Sequence, residues 1–398
     1  LRHEILIESN FSFIFHHMSA DPAATYSRKN PFSAKLVTNR KLTASGSTKD
    51  TRHFEVDISG SGLAYEVGDS LGVFATNHPA LVEELLGVLG LRGEEQVVDT
   101  NAQMVSLREA LMRSYVITEP DKKLLAAIAE KETAAAKFLS MLTPEGKADL
   151  DAYFWGREVI DFLLEYPTAK FTAEEFVKVL RKLQPRLYSI ASSPKASPCS
   201  VHLTVASVRY ESHGRKREGV CSTFLADRAD AAPVPVFVHT AKHFRVPEDL
   251  STPVIMVGPG TGIAPFRAFL QERKAAGGTG KNWLFFGDQK AATDFLYREE
   301  LEAYQAEGIL HQLSLAFSRD QAEKIYVQHR MMEQAEELYA WLEAGAYFYV
   351  CGDASRMAKD VDQALHHVVA QAGGKSPEGA AAYVEELKKS KRYRKDVY

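Results

Sequence analysis

At 398 residues the chain is too long for one ordinary hydrophobic core and implies two or three domains. Apolar residues make up 45% of it and charged residues 25%, with a formal net charge of −4. This is a globular composition that gives no electrostatic reason to bind nucleic acid or an anionic membrane. Cys199, Cys221 and Cys351 form no C-x-x-C pair or ligand cluster, which argues against a disulfide framework, a cysteine-ligated iron–sulfur centre or any metal site, and for the cytosol.

Residues 1–30 read as an N-terminal tail. Phe11-Ser-Phe-Ile-Phe15 is apolar but too short to span a bilayer, and no signal-peptide pattern surrounds it. Met18, followed by Ser-Ala-Asp-Pro, reads as a start, so residues 1–17 are given no function. Residues 31–80 carry strand patterns: Ala34–Asn39, the alternating Arg52–Ile58, and Tyr65–Phe74 broken by glycines. Across 81–180 the period turns helical, at Leu81–Leu89, Leu107–Ser114, Leu124–Leu142 and Thr172–Leu183. Strand pattern returns over 181–250, at Arg186–Ile190, Ser200–Tyr210 and Pro235–His239. The expected fold is thus an antiparallel β-barrel interrupted by a helical insertion.

From 251 to 398 strand and helix alternate: Val254–Val257, Pro265–Ala275, Trp283–Phe286, Tyr297–Glu307, Leu313–Phe317, Val327–Leu342, Tyr347–Cys351 and Ser355–Gln371. That rhythm predicts a doubly wound parallel sheet, with ligands at the carboxyl ends of its strands. Gly258, Gly260 and Gly262 follow the first strand and Pro265 opens the next helix, which makes an anion-binding turn. The spacing is not that of the dinucleotide fingerprint, and no acidic residue obviously takes the ribose-binding role about 20 residues on.

Four further segments concentrate chemistry. Arg186-Leu187-Tyr188-Ser189 sets a cation, an aromatic and a hydroxyl on one strand; taken alone it is equally an edge strand with a surface arginine. Gly219-Val220-Cys221-Ser222 opens a second anion-binding helix after Arg215-Lys-Arg217. There the basic triplet reads as a solvated loop and Cys221 as a small apolar filler. Ser318, Arg319, Lys324 and Tyr326 follow a strand of the parallel sheet and offer cations plus a stacking surface for an adenosine 2′-phosphate. Asp320 and Glu323 interleave there, so charge pattern alone fits a solvated loop as well. Finally, Cys351-Gly-Asp353 ends a strand, and the chain closes on Asp396-Val-Tyr398.

In this order the segments resemble the reductase half of the diflavin reductases, within the ferredoxin–NADP reductase superfamily, most closely the sulfite reductase flavoprotein branch, from about Pro31 to Tyr398. The 81–180 insertion separates the chain from simple plant-type ferredoxin reductases. The resemblance implies FAD and NADPH as cofactors and hydride transfer from nicotinamide C4 to flavin N5. Ser189, Cys351 and Asp396 would form the catalytic set, with Tyr398 covering the flavin until NADPH displaces it. Arg186, Leu187, Tyr188, Ser189, Thr204, Val205, Ala206, Tyr210 and Gly219–Ser222 would hold FAD, with Thr118 also in reach. Gly260, Thr261, Gly262, Ser318, Arg319, Lys324, Tyr326, Gln328 and Asp360 would hold NADPH. Two departures are expected to matter: the family's FMN-binding domain is missing ahead of Pro31, and the terminal aromatic is tyrosine where several relatives use tryptophan. Electrons would then leave singly to a separate acceptor: sulfite reductase haemoprotein, a flavodoxin-like FMN protein or ferredoxin. A reductase not tied to sulfite, and a non-catalytic flavin-binding scaffold of a larger complex, are the other two readings.

Overall fold

The computed structural model describes residues 26–398; the Phe11–Phe15 run, Met18 and residues 1–17 lie outside the described residues. β1 (Phe32–Lys41), β2 (Thr51–Asp57) and β3 (Ser70–Val73) come first. β4 (Gln96–Val98) and β5 (Met104–Ser106) make a small hairpin inside the helical stretch, which the sequence reading had not anticipated. β6 (Arg186–Ser189), β7 (Ser200–Ala206), β8 (Arg209–Ser212), β9 (Arg215–Glu218) and β10 (Val234–His239) follow. The last five are β11 (Val254–Val257), β12 (Asn282–Asp288), β13 (Gln312–Phe317), β14 (Tyr347–Gly352) and β15 (Tyr393–Val397).

The first sheet is antiparallel, ordered β6-β3-β10-β1-β2-β7, and Ile190, just past β6, bridges Leu203 of β7. Its core holds Phe54, Val56, Leu71, Val201, Leu203 and Val236, alternate residues whose Cβ atoms share one face of each strand. The second sheet is parallel, ordered β13-β12-β11-β14-β15. Ile255, Val257, Phe285 and Val350 face one layer of helices, which includes Met357–Ala372. Met256, Leu284 and Phe286 face another, formed around Ala264–Ala275. Helices therefore cover both faces, as a buried parallel sheet requires.

The helical stretch packs around its own core of Leu86, Leu111, Leu125, Phe138, Phe162 and Phe176. Its elements are shorter than the sequence pattern implied. The Leu124–Leu142 run is broken after Lys131 by a 3₁₀ turn at Thr133–Ala135, where the Glu132 side chain accepts from Ala134 N and restarts the backbone. Val327–Leu342 divides likewise at Gln334.

Arg215-Lys-Arg217 is not a solvated loop. It forms β9, and Arg217, 1% exposed, donates to Glu158 Oε2 at 2.9 Å and to Asp161 Oδ2 at 2.6 Å. Burial, against the pull of Arg217, raises the Glu158 carboxyl to about 7. This cation ties the β8–β9 hairpin to the helical stretch. The C-terminal segment carries an element for which the sequence suggested no strand. It is a full edge strand in which Cys351 pairs with Asp396, while Arg392, Arg394 and Lys395 obscure its strand character in sequence. No described helix is long and apolar enough to cross a membrane.

Candidate active site

Strands from both sheets meet at Ser189. It ends β6, and its hydroxyl donates to Asp396 Oδ2 of β15 at 2.6 Å, across 207 positions of chain. Cys351 Sγ, at the end of β14, lies 3.9 Å from the same carboxylate oxygen. Burial, and next the Asp396 charge, push the Cys351 thiol well above its ordinary range, so it stays protonated near neutrality. A hydroxyl, a carboxylate and a neutral thiol thus share one small volume between the sheets.

Tyr398 closes this volume on one side. Its N–H donates to Gly352 O at 3.1 Å, and its hydroxyl and that of Thr261 are 2.7 Å apart. The residue is still 63% exposed, and among the described residues its side chain makes one hydrogen bond, with Thr261.

The glycine turn works differently at each position. Only Gly260 takes positive φ, at 58°. Gly258 and Gly262 are needed for room: a Cβ on Gly258 would sit 2.5 Å from Gly262 O, and one on Gly262 would sit 2.2 Å from Cys351 O. The turn is a 3₁₀ segment, Gly260–Ile263, running straight into Ala264–Ala275. Gly262→Ala is therefore expected to cost about 1–3 kcal/mol by forcing backbone apart, read as a lower urea midpoint with unchanged slope. An unchanged midpoint would show that the turn relaxes freely.

On the antiparallel side, Arg186 and Leu187 are exposed and Tyr188 is half-buried beside Cys221, whose thiol burial pushes up to about 12. Gly219 caps the helix Val220–Asp227, and Ser222 Oγ accepts from Val208 N at 3.1 Å. A Cβ on Gly219 would meet Ser222 Oγ and Val208 Cβ at 2.8 Å, so a close backbone cradle is built here. Thr118 and Val220 line one cleft together with Arg215 and Arg228. Arg228 went unnoticed in the sequence. Its Nη2 donates to Thr76 O at 3.1 Å, while Nε and Nη1 are buried without a partner. Arg228 caps the carboxyl end of the Val220–Asp227 helix, but its side chain lines the cleft that Val220 at the helix N-terminus also lines, and orphan donors there fit a diphosphate-bearing group. Tyr210 is 50% exposed on β8. Val205 lies in the sheet core, Ala206 is half-buried, and the Thr204 hydroxyl is committed to Tyr297 Oη at 2.7 Å.

On the parallel side, Ser318 N and Oγ both donate to Asp288 O, at 2.9 and 3.2 Å, which fixes the start of the loop carrying Arg319, Lys324 and Tyr326. Those three are exposed, and Arg319 and Lys324 enter no ion pair among the described residues. Gln328 Nε2 donates to Asp360 Oδ2 at 3.4 Å across a groove shared with His367.

A buried joint the sequence did not reveal locks the halves together. His53, Glu55 and His202 place ligand-type atoms within 4.8 Å of one another, but the histidine nitrogens are already engaged. Arg267 can only donate, so His202 Nδ1 accepts from it at 3.2 Å and Nε2–H serves Ser200 Oγ at 3.1 Å. Glu55 accepts from His53 Nε2–H at 3.2 Å; His53 Nδ1 then accepts from Tyr297 Oη at 2.9 Å.

Two sheets meeting at a hydroxyl–carboxylate–thiol cluster, flanked by two phosphate-type turns, define a two-part nucleotide-binding oxidoreductase. Residues 24–224 match the FAD binding domain family and residues 256–363 the oxidoreductase NAD-binding domain, and the chain belongs to the former family while carrying both parts. It is 47% identical over 378 residues to the sulfite reductase [NADPH] flavoprotein alpha-component of Bacillus subtilis, covering 94% of this chain and 62% of that protein. The like-named protein of Mannheimia succiniciproducens is 48% identical over 377 residues, covering 94% and 62%. That of Vibrio cholerae is 50% identical over 374 residues, covering 94% and 60%. The chain thus spans about six tenths of the length of these relatives.

Proposed function

We propose that this chain is an NADPH-dependent flavoprotein reductase that takes hydride from NADPH and passes electrons singly to a separate acceptor protein, in sulfite reduction. The observation that carries the reading is the Ser189–Asp396–Cys351 cluster, set between the Arg186–Ser189 strand and the Gly260–Gly262 turn. FAD, when bound, supplies the ring that accepts the hydride and can release its electrons one at a time. The chain's own residues do the rest. Arg186, the Gly219–Ser222 turn, Thr118 and Arg228 hold the flavin's diphosphate side, and Leu187, Tyr188, Thr204, Val205, Ala206 and Tyr210 shape its seat. Thr261 and the glycine turn hold the dinucleotide's pyrophosphate, and Ser318, Arg319, Lys324 and Tyr326, with Gln328 and Asp360 beyond them, hold its adenosine end. Ser189 presents a hydroxyl oriented by Asp396, and Cys351 packs against the incoming ring as a neutral thiol. Tyr398 must give way first.

The accompanying architecture is a barrel made from 31–80 and 181–250, with 81–180 as the connecting insertion and 251–398 as the nucleotide domain. The Ile190–Leu203 bridge supports closure of that barrel. The acceptor is proposed to be sulfite reductase haemoprotein, in the cytosol; what supports this is similarity to relatives named sulfite reductase flavoprotein alpha-component. Purified protein reconstituted with FAD is expected to turn yellow and to bleach with NADPH. Colourless protein, or colour that NADPH leaves untouched, would overturn the reading. Faster turnover with flavodoxin or ferredoxin than with the haemoprotein would remove sulfite from it.

A further inference from the structure

β8 and β9 form a two-stranded sheet of their own, joined to no other strand among the described residues, so the hairpin's place is set by its ends and its side chains. At the base, Gly219 N donates to Val208 O at 2.9 Å. The tip rests on the helical stretch: His213 Nε2–H donates to Trp155 O at 3.0 Å, and a Cβ on Gly156 would lie 2.0 Å from Ser212 Oγ. Between base and tip sits the buried Arg217, donating to Glu158 Oε2 at 2.9 Å and Asp161 Oδ2 at 2.6 Å, at the start of the Val159–Glu165 helix. That helix begins beside Thr118, since Val159 N donates to Ile117 O at 3.3 Å. Arg215 adds a second tie, to Glu84 Oε2 at 2.6 Å on the Pro79–Leu89 helix. Arg217 stands directly opposite Tyr210 across the hairpin, on the same face, and two residues before Gly219.

Resting on the reading of Thr118, Tyr210 and the Gly219–Ser222 turn as parts of the flavin seat, we propose that Arg217 is a positioning residue for FAD, held by Glu158 and Asp161 of the helical insertion. One buried cation then fixes the spacing of all three parts, and the insertion becomes a working component of the flavin site. The seat should accordingly respond to pH, because the clamp weakens when one of its carboxylates takes a proton. Glu158 is the member that does so near neutrality: burial, against the pull of Arg217, raises it to about 7. Asp161 pushes it the same way as burial and Arg215 the opposite way. His78, Glu84, Lys216, Glu218 and Arg228 are the other charged or titratable groups of the cleft that Glu158 lines. Below that pH Glu158 is neutral, and Asp161 is the charged partner left to Arg217.

The test titrates FAD into the flavin-free full chain and follows the change in flavin fluorescence. Glu158→Gln is expected to raise the FAD dissociation constant about tenfold at about pH 8, the scale of one charge-assisted contact, and Arg217→Met at least as much. In the parent the constant should rise as pH falls from about 8 to 6, following Glu158; in Glu158→Gln it should stay flat. A clamp that served the fold alone would lower urea midpoints and leave FAD affinity and its pH profile untouched. Should Arg217→Met fail to fold, Glu158→Gln, which keeps the side-chain volume, decides by itself. Parent-like FAD affinity in Glu158→Gln at about pH 8, or a parent-like pH profile in that variant, overturns the proposal. Parent protein that takes up no FAD at any pH instead overturns the reading of the seat itself.

Discussion

Replacing Asp396 by alanine is expected to slow NADPH-dependent bleaching of the flavin by about 10²-fold or more while leaving FAD content intact, because on the proposed reading Asp396 orients the hydride-transfer groups and touches the proposed flavin seat through the Ser189 hydroxyl alone. Its Oδ2 accepts from Ser189 at 2.6 Å and faces Cys351 at 3.9 Å, so one substitution frees a hydroxyl and removes the charge that helps keep a thiol neutral. Losses of that order are ordinary when a positioned polar group next to a reacting centre is deleted. Asp396→Asn separates the contributions, since the amide oxygen can still accept from Ser189 while the charge is gone. Ser189→Ala removes the hydroxyl alone and should cost about tenfold. The Cys351 thiol is held well up by burial and then by Asp396, so the parent rate should show no step from thiolate formation between about pH 6 and 9. Single-turnover bleaching measures all of these. Parent-like rates in Asp396→Ala would leave the cluster without a catalytic role.

The parts that were legible in the sequence are those built from neighbours. Gly260–Gly262 announces a tight turn because only glycine tolerates its φ and its contacts, and Arg186–Ser189 announces a polar strand because four adjacent residues carry the pattern. The alternation of β2 and the apolar run of β11 are equally local. What stayed hidden depends on distance along the chain. Nothing around Lys49 signals Asp288, 239 positions away, and around Asp396 the basic side chains that an exposed edge tolerates break the apolar alternation by which a strand is read. Helix lengths were overestimated for a related reason. Alanine-rich runs such as Leu124–Leu142 satisfy helical propensity throughout, and only the side-chain cap from Glu132 reveals the break.

The joint at His53 and His202 should make the protein acid-labile well above the pH at which its carboxylates protonate. Burial, then the charge of Arg267, lowers each imidazole to about 4 from 6.5; the two rings stand edge to face at 5.0 Å, and each would repel the other's charge. Glu55 and Glu300 pull the other way but do not prevail. In the unfolded chain both histidines take a proton near pH 6.5, so between pH 6.5 and 4 the unfolded state binds more protons and stability falls as pH falls. The contribution is full above the unfolded value and is lost on the way down to the folded one. Each shift corresponds to on the order of 3 kcal/mol at its limit, a large share of a typical stability. Urea midpoints followed from pH 7.5 to 4.5 should therefore drop steeply in the parent and less steeply in His202→Gln, whose amide can still accept from Arg267 but cannot titrate. The loss should also appear as separation of the halves, since Tyr297 and Arg267 belong to one and the histidines to the other. Identical pH profiles for parent and His202→Gln would show that these imidazoles do not control the joint.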